Sequence, residues 1–353
     1  MKLIKYLIFL LLIVFIGTAI YFGTQNGDFT VEKSHTIQAP SQLIFEKVNN
    51  LKNWSEWQFS EEEVKLFFGD TAAGNGAFIS WNGEKYFTGE IKTESIIPLQ
   101  SIAQKFGLNN TSVEKGHSLS WNFKTNSEDT ETEVTWTASG SLSLFEKIYF
   151  AWKNRSMEEQ LEEVFAKNLQ RLELLIESEM NVYSVVVDGL TQHGGGFYLY
   201  KTATVKIKEL REKVSLLQAE VADYMADNNI LPDGNYFVLY HYKDNKNGTA
   251  VISVGIPVND RIIPEEGQPV LAGFLPVTTC LKATLKGNYL HHSEETWTLA
   301  QTRMEDNQWR LSTDKPVIES FIITPHDDKN PADWVTEYFF PLDELSLGVN
   351  QPL

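Results

Sequence analysis

The sequence predicts an α+β protein: one apolar helix followed by two mixed globular bodies. Three observations carry this. An unbroken apolar run, Tyr6 to Phe22, stands apart from everything after it. Beyond it, segments that alternate with period two interleave with segments whose apolar residues recur at helical spacing. The 353 residues also exceed one domain, at roughly 100–200 residues each.

Composition narrows the function. The formal net charge of −17 argues against nucleic acid as a partner, because phosphate binding needs a basic face. It suits a soluble, self-repelling body and cationic ligands. The single cysteine, Cys280 in T-T-C-L, excludes an intrachain disulfide and reads as a small core residue. No His/Asn constellation accompanies it as a nucleophile would require.

Residues 1–28 read as a membrane anchor and linker. The apolar run is at the short end of the roughly 17–25 residues that span a bilayer. It is longer than a typical signal-peptide core, and no convincing cleavage site follows it. Lys2 and Lys5 precede the run; Gln25, Asn26 and Asp28 follow it. The positive-inside rule then places the amino terminus in the cytoplasm and both bodies outside. A cleaved signal peptide is the alternative; a buried soluble helix fits less well, for want of a polar face.

Residues 29–180 form the first body. Phe29–Ala39 alternates as a half-buried strand, and Pro40-Ser41 opens a short helix with Leu43, Phe45 and Val48 inward. Strand candidates follow at Gly76–Trp81, Lys85–Ile97, Ser101–Phe106, His117–Thr125 and Glu131–Ser139, separated by turn residues such as Asn82-Gly83 and Asn126–Asp129. A long helix closes the body over Ser143–Glu179, with Leu161, Phe165, Leu169, Leu172 and Ile176 on one face. Trp54, Trp57, Trp81, Trp121 and Trp136 are candidates to line a cavity, although core packing is the commoner role for large aromatics. Glu61–Glu63 reads as a solvated face.

This half resembles the START-like superfamily, which includes polyketide cyclase/dehydratase-like proteins. The cues are I-Q-A-P-S at Ile37–Ser41, the phenylalanine of the next helix, and V-N-N-L-K-N-W-S-E-W at Val48–Trp57. The resemblance implies a curved antiparallel sheet gripping the last helix, with a cavity between them. It transfers no catalytic motif.

Residues 181–353 form the second body. Val182–Asp188 reads as a buried strand, Gly189–Gly196 as a loop, and Thr204–Asp227 as a helix with Leu210, Val214, Leu217, Val221 and Tyr224 inward. Two strands follow, Asn235–Tyr242 and Thr249–Val258. The order then recurs: a strand at Phe274–Leu285, a helix from Ser293 to about Trp309, and strands at Pro316–Thr324 and Asp333–Pro341. A repeated strand-helix-strand-strand unit implies a pseudo-twofold body with a ligand cleft at its seam.

The last strand carries the sharpest feature. Glu337 lies inside the aromatic and β-branched run P-A-D-W-V-T-E-Y-F-F-P-L, Pro331–Leu342. An ionised acid in such a run is costly unless a cation or donors meet it. Alternation puts Val335, Glu337 and Phe339 on one face, with Trp334, Thr336, Tyr338 and Phe340 on the other. A ligand cation between the acid and aromatic rings would gain Coulomb and cation–π attraction. Tyr236, Tyr240 and Tyr242, on one face of their strand by alternation, are candidate rings. The alternative is that Glu337 pairs with an internal Lys282 or Arg310.

The second half resembles GyrI-like effector-binding domains. The matching residues are K-G-N-Y at Lys286–Tyr289, E-S-F-I-I-T-P at Glu319–Pro325 and D-W-V-T-E-Y-F-F-P-L at Asp333–Leu342. The resemblance implies an aromatic cavity with a carboxylate, mapped onto Glu337, that binds small hydrophobic or cationic molecules. It maps Tyr289 and Trp334 onto motif aromatics, so the expected ligand residues are Glu337, Trp334, Tyr289, Tyr240, Tyr236 and Phe339. It also leaves open a hydrolase of hydrophobic electrophiles with Glu337 as general base on water. No metal or cofactor is expected: His291-His292 with Glu294-Glu295 lacks convergent ligands, and Gly194–Gly196 lacks a phosphate loop's lysine. The acidic pair Glu265-Glu266 and His193–Gly196 match no motif.

Overall fold

The computed structural model describes residues 2–59, 64–82, 88–108, 112–265 and 267–348. Glu61–Glu63, Gly83, Lys85 and Glu266 lie outside the described residues. The chain divides into two compact units, Met1–Glu179 and Met180–Leu353, each with an antiparallel sheet of its own, and an apolar helix opens the first.

Helix α1, Lys2–Thr24, opens the first unit. Among the described residues it is the one helix long and apolar enough to cross a membrane, over Ile4–Thr24, and none of its apolar window is buried. Then come β1 (Asp28–Ile37), α2 (Ser41–Asn49), α3 (Trp54–Trp57), β2 (Lys65–Phe68), β3 (Phe78–Asn82), β4 (Gly89–Ile97), β5 (Ser101–Leu108), β6 (His117–Thr125), β7 (Thr132–Ser141), α4 (Leu144–Lys153) and α5 (Met157–Met180). The seven strands form one antiparallel sheet in the order β1-β7-β6-β5-β4-β3-β2. β1 pairs with β7 from Asp28↔Ser141 to Ile37↔Thr132, so the start and end of the strand series share one edge.

The expected helix over Ser143–Glu179 is two helices. Asn154 takes a left-handed conformation (φ 51°) and ends α4, a backbone state that asparagine tolerates better than most residues. Ser143 and Glu146 form a capping box at the start of α4, meeting two amides the helix cannot satisfy itself. Glu146 also takes a hydrogen bond from His117 at 3.1 Å.

Tryptophans fill the β6–β7 side of the sheet. Trp54, Trp57, Trp121 and Trp136 are all buried. The Trp121 and Trp136 rings stack at 4.1 Å, and Phe165 of α5 stacks on Trp136 at 4.0 Å. The α5 stripe Phe165, Leu169, Leu172 and Ile176 is buried as its spacing predicts.

The second unit runs β8 (Ser184–His193), β9 (Gly196–Lys206), α6 (Leu210–Asp227), β10 (Phe237–Asp244), β11 (Thr249–Val258), β12 (Leu271–Leu275), β13 (Thr278–Lys286), α7 (Tyr289–Asp306), β14 (Val317–Ile323), β15 (Val335–Pro341) and α8 (Glu344–Leu347). Its eight strands form a sheet in the order β12-β9-β11-β10-β14-β15-β13-β8. Two expectations are corrected here. Most of the loop expected at Gly189–Gly196 is strand: β8 runs on to His193 at one edge of the sheet, Gly194 and Gly195 redirect the chain at φ 111° and 98°, conformations open to glycine, and β9 then pairs with β11 and β12 rather than with β8. The single strand expected at Phe274–Leu285 is the end of β12 and most of β13, parted at Pro276 because proline cannot donate to a ladder. The described order is thus strand, strand, helix, strand, strand, twice over.

Helices α6 and α7 share one face of this sheet. Leu210, Val214 and Leu217 of α6 and Ala300 and Met304 of α7 pack in one cluster with Val238, Ile252, Leu281, Phe321 and Phe340. Met225, not Tyr224, completes the buried α6 stripe. A second cluster, Phe237, Leu239, Cys280, Ile318 and Phe339, contains no helix residue.

The Glu146 carboxyl is held down from its ordinary 4.5 to about 2, chiefly by the His117 hydrogen bond and then, against the cost of burial, by the Ser143 bonds. A depressed carboxyl contributes stability that is present above its unfolded pKa and lost as pH falls through the folded one. We expect the first unit to lose stability between about pH 4.5 and about 2. Acid titration of denaturant midpoints should show a shallower loss in Glu146→Gln over that window.

Candidate functional site

Strand β15 divides the expected ligand residues between two faces. Trp334, just before the strand, and Thr336, Tyr338 and Phe340 are buried on the helix-covered side. Glu337 and Phe339 point the other way. Glu337 Oε1 accepts from Lys282 Nζ at 2.7 Å, so the acid is paired, the arrangement set out above as the alternative. Register explains the pairing: Thr284 is opposite Glu337 and Lys282 opposite Phe339, so the two charges sit diagonally on one face. The Lys282 ammonium also lies 5.9 Å from the Phe339 ring centre. His193 of β8 stacks on Phe339 at 3.7 Å. Burial pushes the His193 pKa down, opposed by the Glu337 charge.

The deeply buried acid expected at Glu337 occurs instead on the neighbouring strand and the opposite face, at Glu319 of β14. Glu319 is fully buried. The Arg211 fork of α6 meets it at 3.0 Å and 2.9 Å. Tyr240 and Tyr338 donate their hydroxyls to it at 2.6 Å and 2.7 Å. Ser293 of α7 accepts from Arg211 at 2.7 Å and lies 2.8 Å from the Tyr338 hydroxyl. Glu319 is opposite Tyr338 in the β14–β15 ladder. Burial and then the Glu319 charge hold the Tyr240 and Tyr338 phenols well above the usual range. Burial is the largest influence on Arg211 and opposes its charge, but Glu319 and the Tyr240 and Tyr338 phenols together outweigh it and raise the guanidinium further.

The expected aromatics gather around this carboxylate. The Arg211 guanidinium lies 5.1 Å from the Tyr289 ring centre, Tyr289 packs on Trp334 at 5.4 Å, and Tyr236 stacks on Phe321 at 4.5 Å. Tyr240, Tyr236, Tyr289 and Trp334 thus come together, while Glu337 and Phe339 stand on the opposite face. Tyr242 departs from its expected face: a bulge between Tyr240 and Tyr242 breaks the alternation and leaves it 58% exposed. The sequence already offered the cue to Glu319, an acid inside the apolar run V-I-E-S-F-I-I at Val317–Ile323.

The larger described hollow is in the first unit. A cavity of about 700 Å³ lies between α5 and the β3–β6 side of the sheet. Trp81, Ile91, Phe106, Leu119, Trp136 and Phe165 give it an apolar body. Among the described residues its basic lining is Lys153, Arg155, Lys167 and Arg171, against one acid, Glu163, which pairs with Arg155. Two lining residues, Gln58 and Trp136, carry a buried polar atom with no hydrogen-bond partner among the described residues. Trp54, Trp57 and Trp121 do not line it. A second hollow, of about 520 Å³, lies by β9 and β12 among Phe197, Tyr198, Val258 and Phe274. Among the described residues no His/Cys/Asp/Glu group is placed to hold a metal.

No protein-family model and no curated sequence matches this chain. Solved structures similar to part of it include the EcmrR C-terminal domain, 21% identical, covering 46% of this chain and 98% of that one at a TM-score of 0.38. EcmrR in a complex with DNA is 17% identical, with 57% and 78% covered at 0.40. Ms6760 from Mycobacterium smegmatis is 12% identical, with 42% and 91% covered at 0.33.

The two carboxylates predict opposite responses. Glu319→Gln removes the fully buried member of an ion pair and leaves the half-buried Arg211 without its counter-charge, which should cost about 3 kcal/mol. Glu337→Gln breaks a partly exposed pair and should cost no more than about 1 kcal/mol. Urea unfolding of the second unit's tertiary signal measures both.

Proposed function

We propose that this chain is a membrane-anchored small-molecule-binding protein whose first unit holds an anionic amphiphile. The observation that carries this reading is the cavity of about 700 Å³, a volume typical of small-molecule sites. Its apolar walls suit a hydrocarbon or ring system, and its excess of basic over acidic lining residues suits an acidic head. The basic lining stands out in a chain of net charge −17. Unsatisfied buried polar atoms on a cavity wall ask for a partner, and a bound ligand or water would supply it. The length and apolarity of α1 support anchoring. Lys5 at the start of the helix, ahead of its unbroken apolar run, and Asp28 after the helix support a cytoplasmic amino terminus, with both units outside.

A second binding face in the second unit is favoured by one observation. Phe237, Leu239, Ile318 and Phe339 are buried in a cluster that contains no helix residue. Glu337 lies beside them with Lys282. The motif resemblance to GyrI-like effector-binding domains supports a ligand here. The Glu337–Lys282 pair fits a neutral or zwitterionic guest better than a simple lipophilic cation, because Lys282 already meets the acid. Lys282 also occupies a carboxylate oxygen that a general base would turn to the attacked water's proton, which counts against that role. Tyr236, Tyr240, Tyr289 and Trp334 would then serve the packing of α6 and α7 around Glu319.

Titration with a fluorescent fatty acid, anthroyloxy-palmitate, tests the first site. Saturable binding is expected, weakened by about tenfold or more, ~1.4 kcal/mol, in Leu161→Trp, which fills the cavity, and in Lys167→Glu. Equal binding by both variants, or preference for a cationic analogue, would contradict the proposal.

A further inference from the structure

We infer that α4 is a second membrane contact, with its exposed aromatic stripe lying in the bilayer surface beside the exit of α1. The inference rests on the anchoring reading and gives a partner to a surface the fold leaves bare. Phe145 and Trp152 are 79% and 77% exposed. Seven residues apart, they stand on one side of the helix two turns from each other, with Tyr149 between them. Lys153 holds its ammonium 5.8 Å from the Tyr149 ring centre and 5.2 Å from that of Trp152. The inward residues are Glu146 and Phe150. Aromatics and lysine on the outward side, with the inward side docked, is the composition of an interfacial helix.

The covalent path fixes where this stripe must be. Only Gln25–Gly27 separate α1 from β1, a tether of at most roughly 11 Å when fully extended. Lys147 of α4 donates to the Phe22 carbonyl at 3.2 Å and the Gln25 carbonyl at 2.5 Å, a cation at the carbonyl end of a helix. The Gly27 carbonyl accepts from Leu142 at 2.8 Å. A Cβ at Gly27 would meet Lys147 Cε at 2.5 Å, so the two segments touch with no room between them. Asp28 then enters the ladder opposite Ser141, two residues before the α4 cap. With α1 in a bilayer, its last turn sits at the headgroup level, and α4 is clamped to that turn. The clamp therefore holds α4, and the stripe with it, within a helix length of the headgroup level. Tyr149 and Lys153 also line the cavity, so this seating sets a wall of the cavity at the membrane surface.

The test uses the full chain in vesicles of phosphatidylcholine and phosphatidylglycerol carrying a nitroxide near the headgroup or deep in the acyl region. An environment-sensitive fluorophore is attached at Trp152→Cys, at Ile13→Cys in α1, or at Lys124→Cys at the far end of β6. The native Cys280 is buried, its thiol pushed up to about 11 by burial, and stays unlabelled. The expected result is shallow quenching at position 152, deep quenching at 13 and none at 124. Quenching at 13 with position 152 as water-exposed as 124 overturns this inference and leaves the anchor standing. A shielded 152 that no lipid quencher reaches indicates a protein partner and also overturns it. No quenching at 13 removes the anchoring reading, and this inference with it.

Discussion

Each sheet in this protein has more face than its helices can cover. Seven strands about 4.8 Å apart span roughly 29 Å, whereas one helix with its side chains is roughly 10–12 Å across. In the first unit α5 and a block of tryptophans fill the β6–β7 side, and the uncovered remainder is the cavity. In the second unit α6 and α7 share one face, and the apolar cluster on the other contains no helix residue. Apolar surface left in water is unfavourable in proportion to its area, so the cavity wall is where a guest would lower the free energy, whereas the second unit's cluster is already buried without a helix.

The second unit also shows how buried charge is handled. Glu319 is removed from water entirely, and every partner it has comes from a different element: Arg211 from α6, Tyr240 from β10 and Tyr338 from β15. A buried ion pair adds little net stability over apolar packing. It does fix geometry, because a forked guanidinium and two phenols meet one carboxylate in one arrangement. Glu337 shares its face with Lys282 and keeps access to solvent, which leaves that pair free to exchange partners.

Much of the architecture was legible in the sequence, and the misses have physical causes. Helical spacing of Phe165, Leu169, Leu172 and Ile176 marked the buried side of α5 correctly. The break at Asn154 was hidden because the polar run K-N-R-S at Lys153–Ser156 holds no glycine or proline to mark a helix end. Strand β9 escaped notice because G-F-Y-L-Y-K-T-A-T-V-K at Gly196–Lys206 mixes polar and apolar residues on both faces. Alternation on β15 assigned each side chain to its face. It could not tell which carboxylate would find an arginine: Arg211 lies 108 residues from Glu319, and that meeting belongs to the tertiary fold. A cavity in the first unit was expected only through the START-like resemblance; of the five tryptophans offered as its lining, Trp81 and Trp136 line the hollow, and residue type could not separate them from the other three, since the residues lining a hollow are of the same kinds as those filling a core.

One measurement bears most directly on the ligand-binding account: mass spectrometry of the small molecules extracted from the full chain after purification from the membranes that carry it. The account predicts an anionic amphiphile enriched over the bulk lipid, retained by the unaltered chain and lost when Leu161→Trp fills the cavity. An extract that mirrors the bulk membrane, identical for the two chains, would contradict it.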